Sequence, residues 1–151
     1  MSALYLSLKL LHILLAITAL GANLTYGVWI ARSKMQPEFA TFALRGVKFI
    51  DDRIANPCYL LLLPTGAAMV HFGGYSFGTR WIAWAMTLWV LAILAAYLGY
   101  TPALAGQIRA IEQDGPNSPR AAAFAARANV FTVILAVLIV AIVVLMVFKP
   151  T

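Results

Sequence analysis

The chain has 151 residues, of which 63% are hydrophobic and only 11% charged, with a formal net charge of +6. A soluble domain of this size could not bury so much apolar surface, so the excess must face lipid. Membrane-crossing strands would alternate apolar and polar residues, whereas long unbroken apolar runs occur here, so the spanning elements are expected to be helices.

The first apolar run covers residues 3–30 and is stopped by Arg32 and Lys34. It is long enough to cross a bilayer with some tilt. It is also too long for the core of a cleavable signal peptide, and its positive charge follows rather than precedes it. Lys9, His12, Ala16, Ala19, Asn23 and Tyr26 recur every three or four residues and share one face, which is expected to point into a bundle.

A charged stretch follows over residues 32–54. Phe39, Ala43, Val47, Ile50 and Ile54 recur at helical spacing, with Arg45, Lys48 and Asp52 on another face. This pattern reads as an amphipathic helix at the membrane surface that leads directly into the second span. Asp51, Asp52 and Arg53 form the densest charge cluster. The expected role is a solvated or salt-bridged interfacial turn, with a proton relay as the functional alternative.

The second span is expected over residues 55–72, with Asn56 as its N-cap and Pro57 at its first helical position. Pro64, Thr65 and Gly66 lie mid-span and are expected to kink it. Gly73, Gly74 and Gly78 make the following loop. The third span is expected over residues 81–105, with an apolar edge that carries the helix toward Gln113. Its Ala95, Gly99 and Ala103 form a stripe of small residues that lets another helix approach closely, within the chain or in a homo-oligomer. Asp114, Gly115 and Pro116 end it, and Ser118 caps the last helix, whose span is expected over residues 124–148. The fold class is thus an all-α membrane protein. It is a single domain over residues 1–151, a four-transmembrane-helix bundle with an amphipathic interfacial helix between spans 1 and 2.

Arg32, Lys34, Arg45, Lys48 and Arg53 lie in the first connection and Arg109, Arg120 and Arg127 near the third, against only Arg80 in the second. The tendency of positive loops to stay in the cytoplasm then places both termini on the outer side of a bacterial inner membrane. Tyr5, Tyr75, Trp81 and Trp84 gather toward that outer end and fit an aromatic belt. Because the basic residues sit in connections between spans, the positive charge encodes topology, and nucleic acid is not an expected partner. Cys58 is the single cysteine, which rules out an intrachain disulfide and a zinc cluster of cysteines.

Intramembrane polar groups are costly and each needs an account. His12 lies inside the first span and His71 near the outer end of the second. Histidines on facing helices can ligate a metal or a haem iron without breaking backbone hydrogen bonds. Lys9, one turn outward from His12, would meet a haem propionate. The bland reading is a histidine that hydrogen-bonds a neighbouring helix, and Asn23, Tyr26, Asn56, Tyr59 and Thr65 are read as interior polar partners of that kind.

Lys9 and His12, Gly21, Asp52 and Arg53 before Asn56 and Pro57, Tyr59, Thr65 and Gly66, and Trp81 at the third span together resemble a bacterial family of predicted integral membrane proteins called domain of unknown function 2269. The same landmarks are more distantly similar to the HemJ-type protoporphyrinogen oxidases and to the copper-resistance D domain. The oxidase resemblance implies a haem b ligand at His12, and it also covers Asp52, Arg53 and Pro57. The third span of those oxidases opens with a histidine and a lysine, at positions where this chain has Ala83 and Ala85. Porphyrin oxidation is therefore disfavoured. The leading expectation is a membrane protein that binds haem b or a similar redox ligand through His12. The alternative from another class is a cofactor-free accessory or scaffold subunit of a membrane complex. A small transporter or channel is a further alternative; it would need a continuous polar path, for which the lower half of the bundle offers few acidic groups.

Overall fold

The computed structural model describes residues 2–150, and the elements within them are all helical. Helix α1 spans Ala3–Met35, capped by the Ser2 hydroxyl, which accepts from the Tyr5 amide at 3.3 Å. A short turn of 3-10 helix at Pro37–Phe39 reverses the chain into α2, Ala40–Ile50. Helix α3 covers Asn56–Phe72, α4 covers Arg80–Ala95, α5 covers Thr101–Asp114 and α6 covers Pro119–Phe148. One turn of π-helix, Asp51–Ala55, joins α2 to α3, and a second, Ala96–Tyr100, joins α4 to α5.

These π turns explain why the chain does not break where its prolines suggest. Asn56 and Pro57 were expected to open a new helix. Instead Asn56 holds ordinary helical dihedrals and its amide donates to the Asp51 carbonyl, five residues back. A proline in a helix has no N–H to donate and its ring crowds the carbonyl four residues earlier. Widening the preceding turn by one residue relieves that clash while the helix runs on. Pro102 stands at the same offset from the second π turn, where the Thr101 amide reaches back to the Ala96 carbonyl. Two long rods result, 40–72 and 80–114. Pro64 lies inside α3, which continues to Phe72 without interruption.

Three helical segments are long and apolar enough to cross a membrane: Ala3–Met35, Arg80–Asp114 and Pro119–Phe148. The 17 residues of α3 form a shorter apolar helix. Helix α1 packs antiparallel on α3, α6 packs on both α4 and α5, and α2 bridges α1 and α5. The buried cluster sits where α2, α5 and the π turns meet, around Leu44, Val47, Leu104 and Ala110. Seven of its fourteen fully buried members are alanine. The large apolar side chains point outward instead: Leu24 is 78% exposed and Val137 64%. In lipid that arrangement costs nothing, and small residues let backbones approach.

The expected apolar stripe on α2 is corrected by this packing. Ala40, Ala43, Leu44 and Val47 face the core, whereas Phe39 and Ile54 are exposed. The helix is a core element of the bundle. The small-residue stripe of the third expected span is filled from within the chain. A Cβ at Gly99 would overlap the ring of Phe131, and one at Gly106 would meet Phe124 at 2.5 Å. The two glycines and the two phenylalanines are each seven residues apart, so α6 seats two rings in two notches. Gly99 and Ala103 are buried here.

Candidate functional site

Polar side chains line the seam between α1 and α3. Tyr5 stands against Gly73, His12 against Thr65 and Gly66, and Asn23 against Tyr59. The face expected from the periodicity of α1 is therefore the face that packs, with Ala19 and Tyr26 buried and Lys9 outside it and exposed.

His12 is half-buried, and its Nδ1 lies 2.8 Å from the Thr65 hydroxyl oxygen. Thr65 has one hydroxyl proton, which it donates to the Leu61 carbonyl at 2.7 Å. With that proton on the Leu61 carbonyl, the oxygen accepts from Nδ1–H of His12, the tautomer in which Nε2 carries the free lone pair. Gly66 gives the ring its room: a Cβ there would stand 3.3 Å from Cε1 of His12. Thr65 and Gly66 thus hold the imidazole by one hydrogen bond and one bare backbone position. A bond from Nδ1–H to an oxygen is the support that ligating histidines commonly have.

His71 does not join this site. It is exposed, with its ring edge-on to Phe72 at 5.0 Å between centroids. It lies six residues beyond Thr65, about 9 Å further along the helix at the usual rise. Asn23 donates through Nδ2 to the Tyr59 hydroxyl at 2.6 Å, and the Tyr59 carbonyl accepts from Trp89 Nε1 at 3.2 Å. The second bond ties α4 to α3.

The expected charge cluster separates into three environments. Asp52 is exposed and pairs with Lys48 at 2.6 Å, one turn back on the same rod. Arg53 is exposed. Asp51 turns inward and is only 6% exposed. Tyr26 donates its hydroxyl to Oδ1 of Asp51 at 3.3 Å, and Asn56 donates Nδ2 to Oδ2 at 3.3 Å. The reading of Asp51 as a solvated interfacial residue is thereby overturned, since the π turn rotates it off the surface. Burial pushes its carboxyl above the usual carboxylate range, and the neighbouring Asp52 adds to this. Hydrogen bonds from Tyr26 and Asn56 and the charge on Lys48 act the other way.

Sequence reasoning missed Tyr100 and Thr101. Both side-chain oxygens are buried with no hydrogen-bond partner among the described residues. The signal was present as a tyrosine and a threonine directly before a proline inside an apolar run.

Basic groups gather at the end of the bundle near α2 and α5, where Arg45 binds Glu112 at 2.6 Å and Arg120 reaches Asp114 at 3.4 Å. At the opposite end Tyr75 meets Trp81 edge-on at 5.8 Å, and the Lys149 ammonium lies 5.4 Å from the Trp81 ring. Among the described residues no cluster of three or more His, Cys, Asp or Glu side chains could hold a metal ion.

Long apolar helices, lipid-facing leucines and valines, and a polar interior seam define an integral membrane protein. The family model described as predicted integral membrane protein (DUF2269) matches residues 6–150, and the chain belongs to that family. No curated protein and no solved structure matches the chain.

Proposed function

We propose that this is a four-span protein of the bacterial inner membrane that holds a redox ligand, haem b foremost, against His12 on the α1–α3 seam. The observation that carries the reading is the Thr65 hydroxyl at 2.8 Å from His12 Nδ1, already committed as donor to Leu61, which leaves Nε2 bare. Such a nitrogen suits ferrous or ferric iron as one axial ligand. His12 would hold the iron, Thr65 and Gly66 would fix its ring, and Lys9 would lie one turn outward for an acidic substituent. The residues fit ligation from one side only, because His71 stands apart from His12. The group would supply one-electron chemistry, while the chain binds and orients it.

The gathering of Arg45, Arg109 and Arg120 at the end opposite Tyr75 and Trp81 supports four crossings with both termini outside. Under this reading the spans are those expected from the sequence, with α3 at the short end of the roughly 17–25 residues that cross a bilayer.

A second reading is a cofactor-free accessory or scaffold subunit. It is favoured by the cavities beside Arg109 and beside Tyr100, which lie at the α2–α5 end and away from His12. The test is a visible spectrum of protein made with ample haem supply and purified in mild detergent. A Soret band that His12→Ala abolishes is the expected result. A colourless wild-type protein, or a band indifferent to His12→Ala, overturns the haem reading and leaves the accessory one.

A further inference from the structure

Asp51 and Tyr100 sit on two different rods, each at one end of a π turn, and both turn inward. Asp51 is 6% exposed and Tyr100 is 5% exposed. Isolated π turns in long helices are concentrated at functional sites. Asp51 has no cationic partner among the described residues, because Lys48, the nearest ammonium on its own rod, is spent on Asp52. Its two hydrogen bonds, both 3.3 Å, are longer than ionised carboxylates normally make. An ionised carboxylate so placed is costly, whereas a protonated one loses the charge and gains a donor.

Tyr100 belongs to the same buried cluster as Tyr26, which donates to Asp51. Its hydroxyl is buried and has no partner. The same tyrosine lines a small cavity of about 30 Å³ between α1, α5 and α6, together with Ser33, Lys34, Gln107 and Thr132. That volume holds one water, and the lining offers it several polar partners. Lys34 is exposed, so the cavity reaches from the basic end of the bundle to the buried tyrosine.

We propose that Asp51 is a proton-binding site, reached from the basic end through this cavity, with bound water and the Tyr100 hydroxyl on the path to the carboxyl. The step moves one proton and nothing else. A hydronium at the mouth gives its proton to the cavity water, which gives one to Tyr100, and Tyr100 gives its own through a second water to the Asp51 carboxylate, since no direct hydrogen bond joins the two side chains. The carboxyl becomes neutral, the phenol is restored and no redox partner is needed. Asp51 is faced by Tyr26 from α1, by Tyr59 from α3 and by Tyr100 from the second π turn, with Lys48 and Asp52 on its own rod.

Infrared difference spectroscopy of the full chain in detergent, followed through a pH titration, tests the proposal. A protonated-carboxyl stretch is expected to persist above the pH at which free aspartic acid ionises, to shift in deuterated water and to be absent in Asp51→Asn. His12→Ala should leave it unchanged, which separates this site from the haem reading. Tyr100→Phe should keep the stretch but slow its hydrogen–deuterium exchange at least several-fold. Asp51→Glu, which keeps a carboxyl, should move the stretch and serves if Asp51→Asn does not fold. If no stretch assignable to Asp51 outlasts ordinary aspartate titration, the site is overturned. If exchange in Tyr100→Phe matches wild type, the route is overturned.

Discussion

His12 shows how one neighbouring hydroxyl fixes the chemistry of a ring. Thr65 points its proton at the Leu61 carbonyl, as threonines in helices often do, and its oxygen then accepts from the imidazole. Replacing Thr65 by valine keeps the shape and removes both bonds. A buried nitrogen left without its partner costs about 1–3 kcal/mol. Nitrogen-15 NMR of the ring should find a proton on Nδ1 and a bare Nε2 in the wild type, a preference that Thr65→Val abolishes, with a fall in melting temperature. A wild-type ring protonated on Nε2 instead would reverse the donor assignment and remove the free lone pair on which the ligand reading rests. The polar stripe behind this site was legible in the sequence, because His12, Asn23 and Tyr26 are costly in lipid unless they turn toward other helices. Asp51 was not legible in the same way. Three consecutive charged residues give no hint which will be rotated inward, and the answer depends on a turn of helix one residue wider than usual.

The notches on α5 and the second π turn carry the packing argument at the level of elements. Gly99 admits the ring of Phe131 and Gly106 that of Phe124, so the α6 contact is set by two missing side chains. Gly99→Ala puts a methyl where the Phe131 ring lies, an overpacking that costs about 1–3 kcal/mol. Combining it with Phe131→Leu should recover part of the loss. A double-mutant cycle on thermal melting in detergent reads the coupling, and strictly additive effects would show that the ring and the glycine do not meet. Small residues at helical spacing announced this contact in the sequence. The inward face of α2 was read only in part for a related reason. Of the expected stripe, Ala43 and Val47 are buried and Ile50 packs against the cluster, whereas Phe39 and Ile54 stay exposed, because lipid accommodates such side chains as readily as a core does. Ala40 and Leu44 complete the inward face. The continuity of the first rod through Pro57 escaped the sequence, since a proline signals a helix start and a π turn equally well, whereas a helix running on through Pro102 toward Gln113 was expected and is observed.

For the whole molecule the open structural matter is the passage of α3, and its length makes that a physical question. Seventeen residues rise about 26 Å, slightly less than the roughly 30 Å hydrocarbon core. Tilt lengthens the requirement, while local thinning of the bilayer shortens it at modest cost. Two arrangements make opposite statements about the connections. If α3 crosses, residues 36–39 and 115–118 lie on one side and residues 73–79 on the other. If it does not, residues 73–79 share the side of residues 36–39, and residues 115–118 lie opposite. Glu38, Ser76 and Asn117 are exposed in these connections and can each be replaced by cysteine in a Cys58→Ala background. With four crossings and cytoplasmic basic loops, a membrane-impermeant maleimide added to intact spheroplasts should label Ser76→Cys at once. Glu38→Cys and Asn117→Cys should react only after lysis. Labelling of Asn117→Cys with protection of the other two would mean three crossings, and protection of Ser76→Cys with labelling of both others would invert the orientation. The outcome also fixes the side from which the cavity beside Tyr100 opens, because its mouth at Lys34 lies at the same end as Glu38. Four crossings with that end inside would make Asp51 answer to cytoplasmic pH.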